Sequence, residues 1–210
     1  MAEHHCSRAF LPGIKHNEGR IRMENASEIT LLLNGMQEDD AVLGQVIPLV
    51  YDEMRQLARR QLGGRGGATL NTNALVHEAF LKLSEGREQG IRNRDQFLRV
   101  CSIVMRNVVI DAVRRRHAAK RGAGGVPLTF NEELFETQNQ AEELLALDEA
   151  LTRLEHYDPM LARVVECRYF AGLSTAETAL AVESTQRTVE RDWSKSRLWL
   201  RRELSAGSTG

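Results

Sequence analysis

Residues Gly172 to Leu204 constrain this chain most, because they spell two amphipathic helices around an abrupt break. Ser174 and Glu177 form a Ser-x-x-Glu capping box, a pattern that satisfies backbone donors left unpaired at a helix start. Glu183-Ser184-Thr185 ends that first helix. Beyond it Val189, Trp193, Ser196, Leu200 and Leu204 recur at helical spacing and form one mostly apolar face, with Arg187, Glu190, Arg191, Ser194, Lys195 and Arg202 opposite. A helix, a tight turn and a basic second helix make a helix-turn-helix, whose second helix enters the major groove by its N-terminal residues. Arg187, Thr188, Glu190, Arg191 and Ser194 are therefore the candidate base readers, and Lys195, Arg197, Arg201 and Arg202 suit phosphate. The plainer alternative is a surface helix whose charges are merely solvated.

Charge along the chain argues against that alternative. A net charge of -1 over 210 residues hides a segregated pattern: Glu132, Glu133, Glu136, Glu142, Glu143, Asp148 and Glu149 fall in a stretch without Lys or Arg. Basic residues gather on either side, at Arg106 to Arg121 and Arg187 to Arg202, an arrangement that fits one polyanion held at two places. Cys6, Cys101 and Cys167 are odd in number and widely spaced, so neither a disulfide framework nor a zinc ribbon is expected. No apolar run is long enough to span a bilayer, and the first residues lack a signal peptide's apolar core. A cytoplasmic protein without membrane insertion is expected.

Few alternating apolar patterns occur and only four prolines interrupt the chain, so the expected fold class is all-α. Residues 1–26 read as a flexible extension. Residues 27–121 read as a first helical domain. In it Ile29, Leu32, Leu33 and Met36 form a short stripe, continued by Val46, Leu49, Val50, Met54, Leu57 and Leu62 until the Gly63 to Gly67 run. Asn73 is placed as the cap of the next helix, with Leu75, Val76, Ala79, Phe80 and Leu83 inward and His77, Glu78 and Lys82 outward. Phe97, Cys101, Val104, Val108 and Ala112 give the last inward stripe, running out into Arg114-Arg115-Arg116. Residues 122–143 read as an acidic linker, 144–204 as the helix-turn-helix domain, and 205–210 as a tail. Leu144, Leu147, Leu151 and Leu154 open that second domain, and Asp158-Pro159 turns the chain.

Together these residues resemble a bacterial sigma factor of the extracytoplasmic-function (ECF) group, over about Glu28 to Leu204. Ala74-Leu75-Val76-His77-Glu78-Ala79-Phe80-Leu81-Lys82-Leu83 resembles the family's polymerase-binding helix. Met105-Arg106-Asn107, Ile110-Asp111 and Arg114-Arg115-Arg116 resemble the segment that melts and reads the minus-ten element. Gly172-Leu173-Ser174-x-x-Glu177 with Arg187 to Arg191 resembles the helix-turn-helix that reads the minus-35 element. The resemblance implies core polymerase contacts at Leu75, Val76, His77, Glu78, Phe80 and Leu81, and minus-ten contacts at Asn107, Asp111, Arg114, Arg115 and Arg116. It implies minus-35 contacts at Arg187, Thr188, Glu190, Arg191, Ser194 and Lys195. Asn107 would line a base pocket, since its amide both donates and accepts, while the arginines would hold phosphates. Partners implied are core RNA polymerase and promoter DNA, with an anti-sigma factor as a further partner the family allows.

The chain departs from the family pattern at named places. Ala74 stands where an acidic residue usually opens the polymerase motif, His77 where Gln is common, and Val100 where many members carry Trp. Glu183 occupies a turn position often held by Gly, and Glu190 one that is often basic. No cofactor and no metal site is expected: Leu81 replaces the second His of H-E-x-x-H after His77-Glu78, and the Gly63 to Gly67 run lacks the Lys-Ser/Thr of a phosphate loop. No carboxylate cluster or nucleophile triad is visible, so an enzyme is not expected. The competing function is a helix-turn-helix regulator that binds an operator without serving as a polymerase subunit.

Overall fold

The computed structural model describes residues 26–35, 41–62, 68–85, 91–120 and 138–207. Every regular element among them is helical, in keeping with the all-α reading: α1 (Ala26–Gly35), α2 (Ala41–Gln61), α3 (Ala68–Glu85), α4 (Arg94–Lys120), α5 (Gln138–Tyr157), α6 (Pro159–Val165), α7 (Thr175–Ala181) and α8 (Gln186–Gly207). Between α6 and α7 the chain widens into a π-helical turn over Glu166–Ala171.

The apolar stripes read from the sequence are buried. Ile29 and Leu33 of α1, Val50, Met54 and Leu57 of α2, Leu75, Ala79 and Leu83 of α3, and Phe97 and Cys101 of α4 share one core. Each fully buried large side chain contributes about 2–3 kcal/mol of transfer free energy. Met36, the Gly63 to Gly67 run and the stretch 121–137 lie outside the described residues. Asn73 is not a cap. Helix α3 begins at Ala68, because Thr72, immediately before Asn73, is already fully buried on its packed face, and Asn73 points outward from the second turn.

Helix α5 starts at Gln138, so residues 138–143, read as part of the linker, are helical. Gln and Glu propagate a helix well, and buried Ala141 heads the apolar spacing that Leu144 and Leu147 continue. Asp158 caps α6 by accepting from the Met160 and Leu161 amides at 3.0 and 3.3 Å, with Pro159 in the first turn where its missing N–H costs nothing. Leu147, Leu151, Leu154, Leu161, Val165, Phe170 and Leu200 make a second core from α5, α6, the π turn and α8.

The two helical units are docked on each other. On α4, Leu98, Val100, Met105, Val109 and Val113 are buried as well as the expected stripe, so the helix is apolar almost all round. A helix of that kind needs cover on both sides. Here α2 and α3 cover one side, and the π turn and α7 lie on another. Val164, Cys167, Ala171, Leu173, Ala179, Val182 and Val189 of the C-terminal unit are continuous with the core that holds Met54 and Phe97.

Candidate nucleic-acid interface

The helix-turn-helix is built from local chemistry. Ser174 Oγ accepts from the Glu177 amide at 3.2 Å, and Glu177 Oε2 accepts from the Ser174 amide at 2.7 Å, which completes the capping box. The chain leaves α7 through Glu183, whose φ of 54° lies in the left-handed region. Thr185 Oγ1 then accepts from the Thr188 amide at 3.2 Å and starts α8. Val189, Ser196 and Leu200 are buried, and Ser196 Oγ bonds the Leu161 and Asp192 carbonyls, which fixes the rotation of α8 about its axis.

That rotation turns Arg187, Glu190, Arg191, Ser194 and Lys195 to solvent, with Thr188 half-buried beside them. Three of these side chains already have local partners. The Thr188 hydroxyl lies 2.9 Å from that of Thr185, Ser194 Oγ donates to the Glu190 carbonyl at 2.9 Å, and Arg191 Nε donates to buried Asp192 at 2.9 Å. The bond to Asp192 pushes the Arg191 guanidinium pKa further up. Further along, the guanidiniums of Arg168 and Arg197 each lie over the Trp193 ring, at 5.8 and 5.7 Å from its centroid.

On α3, His77 and Leu81 are exposed and Glu78 and Phe80 are half-buried. Leu75 and Val76, expected among the polymerase contacts, are core residues at 0% and 4% exposure. Their spacing matches the inward stripe, so they orient the helix, and they cannot reach a partner while α3 is packed. On α4, Asn107 is exposed at mid-helix. Asp111 is half-exposed and lies 3.7 Å from Lys82 of α3. Arg115 is exposed and donates to the Asp111 carbonyl. Arg116 belongs to the helix, but its side chain lies outside the described residues. Arg114 is exposed yet engaged, with Nη2 3.1 Å from Asp148 of α5.

That last pair belongs to a charged seam between the two units, which the sequence reading did not reach. Arg106 Nε lies 3.6 Å from Asp148, and its guanidinium covers the Phe170 ring at 5.2 Å. Arg99 pairs with buried Glu166 at 2.6 Å, and buried Arg94 lies 3.3 Å from Glu53 and 3.7 Å from Glu177. At the edge Gln96 Nε2 donates to Glu183 at 3.2 Å, with Arg92 3.9 Å from the same carboxylate. Arg60 of α2 reaches across and donates to the Ala171 carbonyl at 3.2 Å, and burial lowers its pKa against the raising effect of Glu177. Gly172 permits this approach: its φ is 68°, and a Cβ there would stand 0.9 Å from Arg60 Nη1. Burial pushes the Asp95 carboxyl up, opposed by neighbouring Arg94. The signals in the sequence were the second apolar stripe of α4 and the acids of 142–149, which read only as part of a stretch without Lys or Arg.

Among the described residues no group of three or more His, Cys, Asp and Glu is placed to hold a metal ion, and no helix is long and apolar enough to cross a membrane. Among the described residues every regular element is helical, and the exposed start of α8 carries Arg187, Arg191 and Lys195, the arrangement that helix-turn-helix proteins of transcription use on DNA. The ECF sigma factor family model matches residues 26–206, and the chain belongs to that family. It is a sigma factor, a regulatory subunit of transcription initiation. None of the curated proteins compared matches the chain.

Proposed function

We propose that this sigma factor directs core RNA polymerase to promoters carrying two elements, reads the upstream one as duplex and stabilises the melted downstream one. The observation that carries the reading is the exposed face at the start of α8, where Arg187, Glu190, Arg191 and Lys195 stand on a helix whose opposite face is fixed by Val189 and Ser196. Such a face can enter a major groove, with Arg187 and Arg191 reading bases and Lys195 on phosphate. Glu190 in that set favours a cytosine N4 donor and disfavours close phosphate.

Downstream, the exposed side chains of Asn107 and Arg115 on α4 would meet a flipped base and its backbone, with Asp111 holding the α3–α4 geometry through Lys82. Melting without ATP must be repaid by such contacts to the open strand. Core polymerase would dock on α3 through exposed His77 and Leu81, with half-buried Glu78 and Phe80 beside them. Its site of action is then the cytoplasm, where polymerase and promoter meet, and an anti-sigma factor would compete for these faces. The test is capture of purified core by the wild type and by Leu81→Asp and His77→Glu. Loss of capture in both variants, with unchanged melting curves, is expected; wild-type capture by both would remove α3 from the polymerase interface.

A further inference from the structure

Arg191 is held differently from its neighbours on the exposed face of α8. Residues adjacent in a helix do not ordinarily face each other. Even so, Arg191 Nε donates to Asp192 Oδ1 at 2.9 Å. Of the cations at the start of this face, Arg187, Arg191 and Lys195, it is the one with an ion pair among the described residues. The pair forms because Asp192 stands at the margin of the packed face. Asp192 is 5% exposed, and its backbone carbonyl accepts from Ser196 Oγ at 2.7 Å, a hydroxyl that also bonds the Leu161 carbonyl of α6. The carboxylate is thus a fixed post, and the Arg191 side chain bound to it is 61% exposed.

That bond decides which donors are left for DNA. A guanidinium meets guanine O6 and N7 with two parallel N–H groups, either from Nε and one Nη or from the two Nη atoms. With Nε taken by Asp192, the two-Nη end remains. The same carboxylate, with Glu190 exposed on the preceding position, makes phosphate a poor alternative partner, because an anion there would meet two negative charges at close range. An arginine without such a post samples many rotamers and takes phosphate as readily as a base edge.

Resting on the promoter-reading proposal, we infer that Asp192 is a specificity-determining positioning residue of the upstream reader. It touches no base itself; it aims Arg191 at a guanine and away from the backbone.

The test uses holoenzyme reconstituted from core polymerase and the full chain, selecting from duplexes randomised over the upstream element, with a melting curve for each variant. Wild type should enrich guanine at one position that Arg191→Ala no longer selects. Asp192→Ala should cut the preference for that guanine at least about fivefold and leave the other positions unchanged. Asp192→Asn keeps the shape and one acceptor oxygen, so it should retain most of the preference. The arginine released in Asp192→Ala should also take phosphate. Binding of that variant to a non-selected duplex should tighten and its salt slope steepen by about 1, with Asp192→Asn near wild type. Guanine selected at wild-type strength by Asp192→Ala, or a loss spread evenly over all positions in both Asp192 variants, would overturn the inference. So would an Arg191→Ala selection identical to wild type. An unselective wild-type holoenzyme would sink the promoter-reading proposal and this inference with it, whereas a selected element left intact by Asp192→Ala sinks the inference alone.

Discussion

Glu183 holds a backbone conformation that costs a residue with a Cβ about 1–2 kcal/mol, at a turn where glycine would carry no steric cost. Its carboxylate accepts from Gln96 and faces Arg92, but both contacts are exposed and contribute little. Glu183→Gly should therefore raise the melting temperature by about 2–4 °C; a fall would mean that the contacts to Gln96 and Arg92 outweigh the strain. Thr72 is the opposite case, a fully buried hydroxyl without a hydrogen-bond partner among the described residues. Thr72→Val removes the unsatisfied group at constant shape and should stabilise by about 1 kcal/mol in urea titration, whereas destabilisation would reveal a partner for the hydroxyl. At this scale the sequence was legible where the chemistry is local. The Ser174 and Glu177 box and the break at Glu183 could be read directly, since each involves neighbours within three residues. The left-handed strain at Glu183 could not, because nothing in the letter E announces φ.

At the scale of elements, helical period placed the faces of α3, α4 and α8 and so most of the candidate site. It misplaced the start of α3, since Asn73 looked like a cap and only the burial of Thr72 shows the packed face beginning earlier. Resemblance alone put Leu75 and Val76 on the polymerase surface, although their inward spacing pointed to the core, where they lie. The outward residues carry the predictions. Arg187→Ala should weaken minus-35 duplex binding and relax preference at one base position by about 1–3 kcal/mol if the guanidinium is bidentate to guanine; an unchanged preference across a base-substitution series would take it off the reading surface. Asn107→Ala should slow open-complex formation more than initial binding, so permanganate reactivity at the start site should fall while duplex affinity holds. Equal permanganate patterns would remove Asn107 from the strand pocket.

Across the whole molecule, what the sequence concealed is how the two units meet. Phe97, Cys101 and Val108 were visible as one stripe of α4, but Leu98, Met105 and Val109 make sense only with Cys167, Leu173 and Val182 opposite, about seventy residues along the chain. Pairing at that distance leaves no local period. The same holds for Arg99 with Glu166 and for Arg60 against Gly172, where only the folded chain brings cation and acceptor together. The central claim is that this sigma factor gives polymerase its promoter choice. Its most direct test adds the full chain to sigma-free core polymerase with genomic fragments and sequences transcript 5′ ends. Discrete starts preceded by two recurring elements, lost on Leu81→Asp, are predicted. Tight sequence-specific duplex binding by the chain alone, without core binding or new starts, would contradict it.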